Sequence, residues 1–219
     1  AVAVVAVVVA LPVIASNQIV RDRIAQELSA WSGFEVTIVG DPAIEVWPDF
    51  RAILKDVSMR EPGSGNGPAI EASRVEIELS ALSALAGDVV FSAARLVSPT
   101  LVVSTADDGS LLLPLPAGGR IAKAIETARL AIRDNPVAPD LTRLASDKFG
   151  SVEISEGRIL LERNGAQQEI VSDVAGRIDW EALDGGARLS LTGTWRDESA
   201  ALDITAQEPM LAIAGGSSP

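Results

Sequence analysis

The residues able to do chemistry are defined first by the types that are missing. The chain of 219 residues has no His, no Cys and no Tyr. Without imidazole or thiol, neither a Ser-His-Asp nor a Cys-His nucleophilic arrangement can be assembled. Zinc loses its usual ligands, and disulfides are impossible. A Ser-Lys dyad needs a Ser three residues before a Lys, and none of Lys55, Lys123 and Lys148 has one. The thirty Asp and Glu residues make a general acid/base pair conceivable by number. Most of them, however, fall at the polar positions of alternating segments, where a solvated face explains them.

Two short segments imitate ligand sites. Gly63-Ser64-Gly65-Asn66-Gly67 has neither the dinucleotide nor the phosphate-loop spacing, and it precedes a strand pattern instead of a helix, so it reads as a hairpin loop. Asp107-Asp108-Gly109-Ser110 lacks the alternating oxygen ligands of a calcium loop and reads as a turn. No catalytic, metal or cofactor site is expected, and the chain is expected not to be an enzyme. A net charge of −12 with a pI near 4.4, its basic residues scattered, argues against a nucleic-acid partner.

The elements carrying this inventory are mostly strands. Residues 1–15 hold no polar side chain and the first charge is Arg21. The run is shorter than the roughly 20 residues needed to span a bilayer, and we read it as a truncated transmembrane anchor, with a signal peptide or a buried helix as alternatives. Arg21 and Arg23 follow it, which by the positive-inside tendency argues against a body outside the cytoplasm. Helical spacing of Ile19, Ile24, Leu28 and Trp31, ended by Gly33, predicts an amphipathic helix. A period of two then predicts strands at residues 34–38, 44–46, 51–60 and 75–79, and at 89–97 and 101–105, split by Ser98-Pro99. Residues 81–86 read as a helical turn, 120–133 as a second amphipathic helix and 141–148 as a short helix. Strands resume from Ser151 through the Asn164-Gly165 hairpin turn to residue 206.

The expected fold is thus mainly β with a few helices (α+β): an N-terminal membrane helix, then an antiparallel twisted sheet or gutter with short amphipathic helices. The division is an anchor at 1–15, a helix plus antiparallel sheet at 16–115, a linker with helices at 116–150, and a second meander at 151–219 that continues further. Each strand pair offers an apolar row backed by charge. Such rows either pack on the helices as ordinary core or stay partly open as a groove for acyl chains. Val75, Ile77, Leu79, Val89, Phe91, Leu101 and Val103 are the lipid-facing candidates.

Several segments, in order, carry a resemblance. They include Val20-Arg21-Asp22-Arg23-Ile24, Gly33-Phe34-Glu35-Val36, Gly40-Asp41, Trp47-Pro48 and Leu54-Lys55-Asp56-Val57-Ser58-Met59. Val75-Glu76-Ile77-Glu78-Leu79, Leu82-Ser83-Ala84-Leu85-Ala86-Gly87, Leu96-Val97-Ser98-Pro99-Thr100-Leu101 and Val152-Glu153-Ile154-Ser155-Glu156-Gly157 follow. In this order and spacing the chain resembles the N-terminal portion of the AsmA family of Gram-negative envelope proteins. The resemblance implies a single-pass inner-membrane anchor with the bulk of the chain in the periplasm, where Arg21 and Arg23 are also usual. It implies a non-enzymatic role in outer-membrane biogenesis, including protein targeting to the outer membrane. It also implies kinship with TamB-type and chorein-type bridge-like carriers, whose sheets form a gutter for phospholipid chains. The competing expectation is a structural or interaction protein that docks envelope partners through its sheet edges.

Overall fold

The computed structural model describes residues 17–45, 51–79, 91–106, 109 and 111–217. The expected anchor at 1–15, the Trp47-Pro48 segment, the helical turn at 81–86 and most of the 107–110 turn lie outside the described residues. Within them the order is α1 (Asn17–Ser32), β1 (Glu35–Ile38), β2 (Ala43–Glu45), β3 (Arg51–Arg60), β4 (Ile70–Leu79), β5 (Phe91–Thr105) and β6 (Leu111–Leu112). There follow α2 (Gly119–Asp134), β7 (Lys148–Arg163), β8 (Ala166–Ala182), β9 (Ala187–Trp195), β10 (Glu198–Ala206) and α3 (Pro209–Ile213).

All ten strands belong to one sheet, ordered β1-β3-β4-β5-β7-β8-β9-β10, with β2 also on β3 and β6 also on β5. The mainly β architecture is the one expected, but the sheet is mixed. β5 and β7 pair in parallel, which corrects the purely antiparallel expectation. A parallel pair needs a long crossover, and the segment between these strands, with β6 and α2, is that crossover. The strands before and after it therefore share one hydrogen-bonded ladder. Two further expectations are corrected. Residues 141–147 form a single turn, with the Leu144 N–H on Leu141 O at 2.9 Å, and no helix. β5 runs unbroken through Ser98-Pro99, because Ser98 takes a left-handed conformation (φ 50°) that absorbs the break.

That conformation recurs. Asp56 in β3, Ser98 in β5, Glu156 in β7 and Asp173 in β8 all have φ between 50° and 55°. Each marks a gap in the ladder: Asp56 falls between the pairs Lys55–Arg74 and Val57–Ala72, and Ser98 between Arg74–Val97 and Ala72–Pro99. A left-handed residue inside a strand shifts the in–out alternation by one. In β3 the residues packed inward are Ala52 and Leu54 before Asp56, then Val57 and Met59 after it. Where β5 and β7 lie side by side, the paired kink residues are bonded, Ser98 Oγ donating to Glu156 Oε2 at 2.9 Å.

Two clusters form the core. Ile24 of α1 meets Ile38, Ala52, Leu54, Val57, Ala72, Val75 and Ile77. Ala124, Ile125 and Ala128 of α2 meet Leu144, Trp180, Leu183 and, from α3, Met210 and Leu211. The helices touch where Gly33 ends α1. A Cβ on Gly33 would stand 2.1 Å from Gly118 O, so the contact requires glycine. Arg120 ties the junction, paired with Glu27 at 2.8 Å and stacked 5.1 Å from the Trp31 ring.

Candidate functional site

Registers across the strands place side chains in transverse rows, and two of these rows define the site. The first reads Leu54, Val75, Leu96, Ile154, Gly176, Leu191, Leu202; the second reads Ala52, Ile77, Ala94, Val152, Ile178, Leu189, Ile204. Both begin in the α1-covered core. Leu54 and Ile77 are 0% and 1% exposed, whereas Leu202 and Ile204 at the β10 end are 48% and 46% exposed. Val75 is buried as well, and from Leu96 and Ala94 onward the residues between are half-buried. At the β10 side the helical cover extends only to the next row, where Trp180 and Ala187 pack in the α2–α3 cluster. One apolar face is therefore closed at one side and open at the other, and its chemistry hardly changes across the boundary.

The opposite face is ionic. Between the two apolar rows, and pointing the other way, runs Ile53, Glu76, Arg95, Glu153, Arg177, Ser190, Asp203. Glu76 is nearly buried and bonds Arg51, at 3.5 Å, and Arg74. Arg95 meets Glu153 at 2.8 Å, Arg177 meets Asp179 at 2.6 Å, and Ser190 Oγ meets Asp203 Oδ1 at 2.6 Å. The hydrogen bond that Arg95 donates to Glu153, and then the charge of that carboxylate, hold the Arg95 pKa above its ordinary value, and Asp179 does the same for Arg177. These carboxylates are engaged with arginine or hydroxyl partners, and the pairs that cross strands, Arg51–Glu76, Arg95–Glu153 and Ser190–Asp203, favour the observed register. Among the described residues no group of His, Cys, Asp or Glu could hold a metal ion, and no buried side-chain polar atom lacks a partner.

The expected lipid-facing residues divide. Val75 and Ile77 are core under α1, and Val103 is 2% exposed, which corrects their reading as an open lining: clean alternation marks a dry face whether or not a helix covers it. Leu101 is half-buried. Leu79 and Phe91 stand opposite each other in β4 and β5; their side chains, and Val89 altogether, lie outside the description. The residues at this end of the face that sequence reasoning passed over are the half-buried Leu189 and Leu191 and the exposed Leu202 and Ile204. Their signal was present as alternation in two strands separated only by Arg196-Asp197, with no amphipathic helix between or directly after them long enough to cover both.

Comparison with protein-family models, with curated proteins and with solved structures gives no match. Among the described residues no helix is long and apolar enough to cross a membrane.

Proposed function

We propose that this chain is a non-catalytic envelope protein whose open β7–β10 face holds phospholipid acyl chains. In this reading residues 1–15 hold it at the inner membrane, its body lies in the periplasm, and it serves outer-membrane biogenesis in the manner the AsmA resemblance implies. The observation that carries the reading is the gradient of burial along the two apolar rows, from a closed core at β3–β4 to exposed Leu202 and Ile204. An aliphatic face without directional hydrogen bonds lets an acyl chain lie in many positions at similar energy, which suits holding or passing lipids and not transforming them.

The test uses the full chain purified in mild detergent. Native mass spectrometry should find co-purified phospholipid, and cis-parinaric acid should bind with a rise in fluorescence. Replacing Leu189 and Leu191 together by Gln should weaken parinaric acid binding about tenfold or more, since each tenfold is about 1.4 kcal/mol. Circular dichroism should stay unchanged. No bound lipid and no probe binding, or undiminished binding by the double variant, would overturn the reading.

A further inference from the structure

The two edges of the sheet are built differently. On one side β1 and β2, of four and three residues, lie end to end along β3. Gly40, Asp41 and Pro42 fall between them, and the left-handed Asp56 interrupts the strand behind. Short, interrupted strands of this kind are how sheets avoid edge-to-edge pairing. On the other side β10 is an uninterrupted strand of nine residues, Glu198–Ala206, which among the described residues pairs only with β9. It contains no Pro, Gly, Lys or Arg and no left-handed residue. Its only charged residues are Glu198 at one end and Asp203, which is already bonded to Ser190, so proline, bulge and lysine protection are all lacking.

The hairpin turn fixes which backbone groups face outward. Arg196 and Asp197 have φ of 53° and 63°, the pattern of a two-residue type I′ turn. Trp195 and Glu198 are then the closing hydrogen-bonded pair. Alternation sends the N–H and C=O groups of Glu198, Ala200, Leu202, Ile204 and Ala206 toward β9, and those of Ser199, Ala201, Asp203 and Thr205 toward the free side.

We propose that β10 pairs antiparallel with β10 of a second copy of this chain, on a two-fold axis through Leu202. The strand is complementary to itself in this register. Ser199 meets Thr205 of the other copy and Ala201 meets Asp203, so every outward N–H and C=O finds a partner. Ile204 faces Ala200, large against small, and Glu198 faces Ala206, so no two like charges stand directly opposite. The two Asp203 residues are only diagonal neighbours, and each is already bonded to Ser190 of its own sheet. A two-fold axis perpendicular to the sheet keeps the apolar faces on one side, so the open rows run from one copy into the next through Leu202. The proposal does not require the face to hold lipid, since backbone pairing alone carries it.

Light scattering on the full chain in mild detergent should give twice the 22.8 kDa chain mass after correction for detergent. Ala201→Pro removes an outward donor and leaves the bonds to β9 intact; it should abolish the dimer without loss of β-sheet signal. The absence of native cysteine permits a second test that does not depend on that variant. Across the axis the two Leu202 Cα atoms would be about 4.5 Å apart, near enough for a disulfide. Leu202→Cys should therefore cross-link on mild oxidation. Ala200→Cys, offset from its own copy by four residues or about 13 Å, should not. A monomeric wild-type mass, a dimer that survives Ala201→Pro, or equal cross-linking at both positions would overturn the proposal.

Discussion

Leu54 and Leu202 stand at opposite ends of one transverse row, and Ile77 and Ile204 at opposite ends of its neighbour. The residue types are the same, the strands alternate in the same way, and the opposite face carries ion pairs from β3 to β8. What differs is the cover. α1 lays Ile24 over β3 and β4, whereas α3 is five residues long and its Met210 and Leu211 reach only the Trp180–Leu183 end of the β8–β9 hairpin. Whether an apolar strand position is core or surface is therefore decided by a helix elsewhere in the chain. The strand's own pattern is silent on it.

The largest effect should separate the ends of one row. Ile77→Asp places an unpaired charge beneath α1 and should cost about 3–5 kcal/mol, a large part of the stability of an ordinary domain. Ile204→Asp puts the same charge where water already reaches and should change stability by less than about 1 kcal/mol. Chemical denaturation of the two variants measures the difference. Equal losses would mean that the β10 end is as closed as the β3 end, and the comparison would fail.

A second contrast concerns glycine in the same two environments. Gly150 has φ +87°, and a Cβ there would lie 2.2 Å from Ser92 O. Its conformation reverses the alternation at the start of β7 and sends Phe149 to the helix side, where the ring meets Trp31 at 6.0 Å and Trp180 at 5.4 Å. Gly165, at the exposed β7–β8 turn, also has positive φ but open space around it. Gly150→Ala should therefore cost more than about 2 kcal/mol, the left-handed penalty plus the clash, and Gly165→Ala about 1 kcal/mol. Thermal melts of the pair would show it.

This contrast also shows how far the sequence could be read. The Asn164-Gly165 turn was legible because both residue types favour positive φ, and they have 52° and 76°. The Arg196-Asp197 turn has the same geometry without glycine and left no such mark. Helices α1 and α2 and strand β3 were visible within a residue or so from periodicity. The parallel β5–β7 pairing was not, because local alternation carries no information about which strands become neighbours. The kink line was legible in principle, since the inward positions of β3 slip from Leu54 to Val57 across Asp56 and those of β4 from Ala72 to Val75. Of the open face, the alternating strands could be read. Its openness could not, because the cover over a strand comes from residues distant in the chain, as Ile24 of α1 covers β3 and β4.

The smallest predicted effect lies away from both cover and edge. Asp140, on the exposed turn between α2 and β7, accepts hydrogen bonds from the Thr142 N–H at 3.0 Å and the Thr142 hydroxyl at 2.7 Å. The backbone bond first and the hydroxyl second stabilise the carboxylate and hold its pKa below the ordinary 3.8. A group whose pKa is lower folded than unfolded contributes stability that is complete above the unfolded value. That contribution is lost as pH falls through the folded one. Between pH 5 and about pH 2, then, the wild-type melting temperature should fall slightly more steeply than that of Asp140→Asn, which keeps an acceptor for Thr142 but does not titrate. Near neutral pH the proton balance of this group contributes no slope in either protein. Parallel curves throughout the acid range would show that water serves the carboxylate as well as Thr142 does, as befits a position that neither helix nor strand encloses.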